Sequence, residues 1–202
     1  MIKGIIFDFG NVLCTFTNEL FLHRLSDITG KSRDKLFDII YIKSGLPKKF
    51  ESGEISTQQF FEELSKICGL TVPYKELHEI YSKDKFTRIE GMCEIAQSLM
   101  KKYKVALLSN TGEWDFEYMK QVAPEIRSFT TISTSFESKA MKPSTKMYTE
   151  TLQKLQLLPE ECIYTDDIIE YVTVSQSLGM NGVHFKGKDD FVASLAQLGV
   201  VI

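Results

Sequence analysis

The chain has 202 residues, 43% apolar and 25% charged, enough for one large domain or a core with a modest insert. A net charge of −3, with Lys and Arg scattered, speaks against nucleic acid, whose binders carry a basic stripe. No apolar run is long enough to span a membrane, and "MIKGIIFDF" stops on an acid too early for a signal peptide, so the expected location is the cytoplasm.

The first strand is read at "KGIIFDF" (3–9), which delivers Asp8 and turns through Phe9, Gly10 and Asn11, a string of turn formers. From Thr17 to Lys85 only helical periodicity recurs. Leu20, Phe21, Leu25 and Ile28 make one face, and Leu36, Ile39, Ile40 and Lys43 another. The strongest stripe, Phe60, Phe61, Leu64, Ile67 and Cys68, opens on "STQQ" (56–59), a capping box with Ser56 as cap and Gln59 reaching back. A further helix is expected from Pro73 to about Lys83. Roughly 70 residues is far more than a crossover needs, so this stretch is expected to be an inserted helical subdomain.

Beyond it, strand and helix alternate. Met92, Ile95, Ala96, Leu99 and Met100 form a helical stripe ahead of "KVALLSN" (104–110). "TTIST" (130–134), "CIYTDD" (162–167) and "NGVHF" (181–185) follow, with helical patterns around Tyr148–Leu155, Tyr171–Leu178 and Phe191–Leu198. The pattern predicts an α/β fold, a doubly wound parallel sheet. Its core is expected at residues 1–16 and 87–202, with an α-helical cap at 17–86. Cys14, Cys68, Cys93 and Cys162 form no CxxC pair and read as buried, reduced thiols.

Ligands of open parallel sheets bind beyond the carboxyl ends of the strands. Those ends carry Asp8, Ser109-Asn110-Thr111 and Asp166-Asp167, and "SKAMKPSTKMY" (138–148) adds Lys142 from a loop. Three carboxylates, a hydroxyl, an amide and a lysine suit phosphoryl transfer, where a carboxylate attacks phosphorus and cations offset the charge. Each has a plainer reading alone. Asp8 could cap a turn, Ser109-Asn110 could be a polar strand end, Asp166-Asp167 could cap a helix, and Lys142 could be a surface lysine. Trp114 could edge the pocket or simply pack, Phe60 and Phe61 read as core of the cap, and Thr15, Phe16 and Thr17 lie at the hinge where substrate could touch them. His23, His78 and His184 show no metal-ligand spacing and receive no role. "DFG" is a kinase string, but the chain has neither the glycine-rich loop nor "HRD".

Four motifs taken together are more specific: "FDFGNVL" (7–13), "LLSNT" (107–111), "KAMKPSTKMY" (139–148) and "IYTDDIIEYVTVSQSLGM" (163–180). In this order and spacing the chain resembles the haloacid dehalogenase-like hydrolase superfamily, in the phosphatase branch whose helical cap follows the first motif. The resemblance implies Mg²⁺-dependent hydrolysis of a small phosphomonoester, a sugar phosphate being the expected class, through an aspartyl phosphate. By it, Asp8 is the nucleophile and a metal ligand, and the Gly10 carbonyl, Asp167 and Asp166 complete the metal site. Ser109, Asn110 and Lys142 would hold the phosphoryl group, with Lys142 also stabilising developing charge. The implied partner is a small phosphorylated molecule, with no nucleic acid and no membrane.

Two positions depart from the family pattern. Gly10 stands where most such phosphatases carry an aspartate acid/base, a group worth about 10²–10⁴ in rate. One subgroup with Gly-Asn at these positions includes sugar-phosphate phosphatases, and the expectation is a leaving group that needs little protonation, such as an anomeric oxygen. Tyr171 stands where the family often has asparagine. The rival readings are a catalytically silent binding protein, with Gly10 as the mark of loss, and a 2-haloacid dehalogenase, which would have little use for Asp166-Asp167.

Overall fold

In a computed structural model, which describes residues 1–202, seven strands form. They are β1 (Gly4–Phe7), β2 (Cys14–Phe16), β3 (Phe86–Arg88), β4 (Lys104–Ser109), β5 (Thr131–Thr134), β6 (Cys162–Asp166) and β7 (Asn181–His184). Five of them make one parallel sheet in the order β5-β4-β1-β6-β7, so all five strands expected from the sequence are present and β1 is central. The chain runs outward from β1 through β4 to β5, then returns to the other side of β1 for β6 and β7. That reversal is the topological switch at which open α/β sheets bind ligands.

The strands read as near-continuous apolar runs because both faces are covered. Ile5, Phe7, Val105, Leu107 and Ile163 point into one layer with Met92, Ala96, Leu99, Phe191 and Leu195. Their neighbours Ile6, Ala106, Leu108, Cys162 and Tyr164 point into the other with Met147, Tyr148, Leu152 and Leu155. The helices supplying these layers are α6 (Met92–Leu99) and α11 (Lys188–Gln197) on one side and α9 (Thr145–Leu155) on the other; α10 (Ile169–Ser177) follows β6. All four cysteines are free and buried.

Between β2 and β3 the chain is helical: α1 (Glu19–Thr29), α2 (Arg33–Phe37), continued to Lys43 by a wider π turn, α3 (Leu46–Glu51), α4 (Thr57–Cys68) and α5 (Tyr74–Ser82). The capping box forms as read: Ser56 Oγ accepts from Gln59 N at 3.2 Å and Gln59 Oε1 accepts from Ser56 N at 2.8 Å. These helices bury Phe21, Leu25, Leu36, Ile40, Phe60, Leu64 and Cys68 in a separate apolar cluster, which Trp114 joins from outside them.

Two features were not expected. β2 and β3 pair antiparallel as a short ribbon at the two ends of the helical segment, extended by bonds from Thr17 N to Lys85 O and from Ile89 N to Leu13 O, each 3.0 Å. Each strand is only three residues long and largely exposed, so no apolar alternation announces it. The second is α7 (Glu113–Val122), between β4 and β5. Its buried residues Trp114 and Met119 enter different clusters, which erases the single stripe that marks an ordinary amphipathic helix.

Candidate active site

Asp8 leaves the end of β1 with its N–H bonded to the Thr165 carbonyl of β6 at 3.0 Å. The chain then turns tightly, the Phe9 carbonyl accepting from the N–H groups of Leu13 and Cys14 at 3.0 Å each. Asn11 takes a left-handed conformation (φ 54°), which asparagine tolerates better than most residues. Its Nδ2 reaches Asp167 Oδ2 at 3.0 Å, tying the first turn to the end of β6.

Lys142 comes from the loop between α8 (Ser135–Ser138) and α9. Its main chain is clamped by Asn110, whose Oδ1 accepts from Lys142 N at 2.8 Å and whose Nδ2 donates to Lys142 O at 3.1 Å. The ammonium then lies 2.8 Å from Asp8 Oδ1 and 2.7 Å from Asp166 Oδ2. All three side chains are almost wholly buried. The Tyr164 hydroxyl also donates to Asp166 Oδ2, and Ile168 N donates to its Oδ1 at 2.9 Å. Asp167 is more open, and His184 Nε2 holds its main-chain carbonyl at 3.0 Å.

Burial shapes the electrostatics. It pushes the Asp8 carboxyl up to about 6; Lys142 pulls the other way, and Asp166 adds repulsion. Burial disfavours the Lys142 ammonium too, yet Asp8 and Asp166 outweigh it and hold its pKa above the ordinary lysine value. The arrangement is a cation fixed between two carboxylates, the nucleophile candidate being the one with an oxygen to spare.

One carboxylate oxygen from each of Asp8, Asp166 and Asp167 lies within 4.8 Å of the other two. Such a hard oxygen set fits Mg²⁺, which one or two carboxylates hold with waters and substrate phosphate completing the shell. A cavity of about 300 Å³ opens onto this cluster and is lined by Asp8, Gly10, Asn11, Ser109, Asn110, Lys142, Asp167 and Tyr171. The Ser109 side chain is buried and makes no hydrogen bond to protein, leaving it for a ligand. Asn110 lines the cavity and also positions the lysine, its side-chain amide engaging the Lys142 main chain at both ends. Tyr171 turns its ring toward the Lys142 ammonium, 5.1 Å from the ring centre.

Of the hinge residues, Phe16 lines the cavity and Thr15 and Thr17 do not. Trp114 does not edge the mouth; it is buried among the inserted helices, its Nε1 donating to the Tyr74 hydroxyl at 2.7 Å and its ring stacked on His78. Phe60 is fully buried in the same cluster. Sequence reasoning missed Tyr164 and His184, for which only their places near the ends of strands gave a signal. It also missed Asn18, Glu51, Lys85 and Asp115, which line the same cavity.

Residues 5–184 match the family model described as haloacid dehalogenase-like hydrolase. The chain is 23% identical over 186 residues to the D-ribitol-5-phosphate phosphatase of Bacteroides thetaiotaomicron, covering 89% of each chain. It is 26% identical over 191 residues to the sesquiterpene phosphatase astK of Aspergillus oryzae, covering 90% of this chain and 89% of that one. Its fold superposes with a TM-score of 0.80 on the HAD family enzyme bt-2542 of Bacteroides thetaiotaomicron, solved in complex with magnesium and inorganic phosphate, at 21% identity over 93% of this chain and 96% of that one. With the family model matched over most of its length and the motif residues gathered at one sheet edge, this chain belongs to the haloacid dehalogenase-like hydrolases.

Proposed function

We propose that this chain is a Mg²⁺-dependent phosphatase of small phosphomonoesters, sugar phosphates above all, acting through an aspartyl phosphate on Asp8. The observation that carries the reading is that Asp8 and Lys142, the lysine backed by buried Asp166, open onto one cavity beside an unpaired Ser109 hydroxyl. The relative named for ribitol 5-phosphate and the structure holding magnesium and phosphate support it.

Asp8 Oδ1 is held by Lys142, which leaves Oδ2 to attack phosphorus. A bond forms from that oxygen to phosphorus and the bond to the ester oxygen breaks, the departing alkoxide taking a proton from water. A second water then attacks phosphorus and gives a proton to the hydroxide left by the first step, the phosphorus–Asp8 bond breaks, and inorganic phosphate leaves with the carboxylate restored. Ser109 donates to a phosphoryl oxygen, and Lys142, kept in place by Asp166 and Asn110, offsets the charge as it spreads. Asp8, Asp167 and the Gly10 carbonyl, with Asp166 beside them, would hold Mg²⁺, which when bound offsets the repulsion between carboxylate and phosphate. The helices between β2 and β3 act as a cap that excludes water and selects the substrate.

The test is phosphate release from a panel of sugar, alkyl and aryl phosphates with Mg²⁺, with chelator, and with Asp8→Asn. Turnover that requires both the metal and Asp8 is the expected result. Release that survives Asp8→Asn rules out the aspartyl phosphate, and a folded, Mg²⁺-binding protein with no turnover rules out the enzyme.

A further inference from the structure

A second polar group lines the cavity and takes no part in the chemistry above. Lys85, just before β3, and Asp115, in the first turn of α7, are 6% and 5% exposed and pair at 2.5 Å. Ser82 Oγ donates to the other Asp115 oxygen at 3.4 Å, and the Lys85 ammonium lies 4.5 Å from the centre of the Tyr81 ring. Glu51, at the end of α3, makes no ion pair and no side-chain hydrogen bond, and Asn18 Oδ1 is buried without a partner. No ion pair or hydrogen bond connects these four residues to Asp8, Lys142, Asp166 or Asp167.

A buried ion pair is a poor source of stability, because desolvation cancels much of its attraction. The Lys85–Asp115 pair could be explained as a tie between the ribbon and α7. That explanation leaves out Glu51 and Asn18, whose free acceptors belong to the same cavity and ask for donors. The four residues come from separate stretches of chain and converge only on this space. An apolar substrate body would bury Glu51 and Asn18 without partners and offer nothing to the Lys85–Asp115 pair, whereas hydroxyls, which both donate and accept, can bond the two free acceptors and the rim of the pair together. The volume, about 300 Å³, is at the small end for ligand sites and suits a compact body.

We propose that Asn18, Glu51, Lys85 and Asp115 form a hydroxyl-reading subsite for the polyhydroxylated body of a sugar or polyol phosphate whose phosphoryl group lies at Asp8. This rests on the phosphatase reading and names its substrate class, setting the chain on the side of the ribitol 5-phosphate relative and against the sesquiterpene one.

The experiment compares ribitol 5-phosphate with butyl phosphate, both primary alkyl esters, so that leaving-group acidity cancels and the ratio reports the body alone. Farnesyl phosphate is the apolar control. Wild type is expected to favour ribitol 5-phosphate in kcat/KM, and Glu51→Gln and Asp115→Asn are each expected to reduce that preference by about 10–100-fold, mainly through KM. Equal loss on both esters from the two variants would assign the residues to structure and overturn the subsite, as would an unchanged ratio or a preference for farnesyl phosphate. A parallel measurement follows the rise in Tm that ribitol 5-phosphate gives the Asp8→Asn variant in Mg²⁺. If no ester is turned over, a rise that Glu51→Gln abolishes keeps the subsite while the hydrolase reading falls; no rise removes both.

Discussion

Gly10 leaves the proposed leaving group without an acid, yet its surroundings can take one. An added Cβ would lie 3.3 Å from the edge of Phe16, whose half-exposed ring can yield by a few tenths of an ångström, and 3.9 Å from Asp8 Oδ2. Gly10→Asp is therefore expected to fold and to raise kcat/KM on alkyl phosphates by about 10²-fold, with little change on aryl phosphates, whose leaving groups need no proton. No gain on the alkyl esters would show that another group already supplies the proton. Glu51 makes a prediction of a different kind. Burial, with Asp115 adding repulsion, pushes its carboxyl from the ordinary 4.5 up to about 7. Between those values the folded chain keeps a proton that the unfolded chain has lost, so stability declines as pH rises through the window and stays lower above it. Glu51→Gln removes that decline: it should melt with wild type near about pH 4 and above it near about pH 8, by a few degrees, on the order of 1–2 kcal/mol.

At the scale of elements, the inserted helices meet the sheet domain through a backbone contact. Gly53, just past α3, has φ 68°, and a Cβ there would come within 2.2 Å of the Phe136 carbonyl in α8. Gly30, past α1, has the same φ and open space around it. Urea unfolding should therefore separate the pair: Gly30→Ala costs only the left-handed strain, about 1 kcal/mol, and Gly53→Ala about 2–3 kcal/mol. The Gly53 contact could not be read from the chain. The parallel strands could, because burial on both faces makes apolar runs such as "GIIF" and "KVALLS", and α4 could, because Ser56 and Gln59 cap it locally. The β2–β3 ribbon and α7 could not, since their identity depends on partners distant in sequence. The site follows the same rule. Asp8, Ser109, Lys142, Asp166 and Asp167 were legible as strand-end and loop residues of four ordered motifs. Asn18, Glu51, Lys85 and Asp115 follow no spacing, and only folding brings them to one cavity.

For the molecule as a whole, the candidate site draws its lining from both the inserted helices and the sheet domain, and Trp114 packs the junction between those two parts. It belongs to α7 of the sheet domain, yet its ring packs edge-on against Phe50, Phe60, Tyr74 and Tyr81 of the inserted helices. It is also the only tryptophan in the chain. Indole emission depends on solvent and on neighbouring rings, so this protein carries an intrinsic optical probe at the junction of its two parts. Docked, the indole is dry and stacked on His78, and its emission should be blue-shifted. If the helices lift to admit substrate, the spectrum should move to the red before global unfolding, and saturating inorganic phosphate with Mg²⁺ should reverse the shift. A spectrum unchanged until the whole chain melts would mean that the two parts move as one body and that substrate enters without parting them.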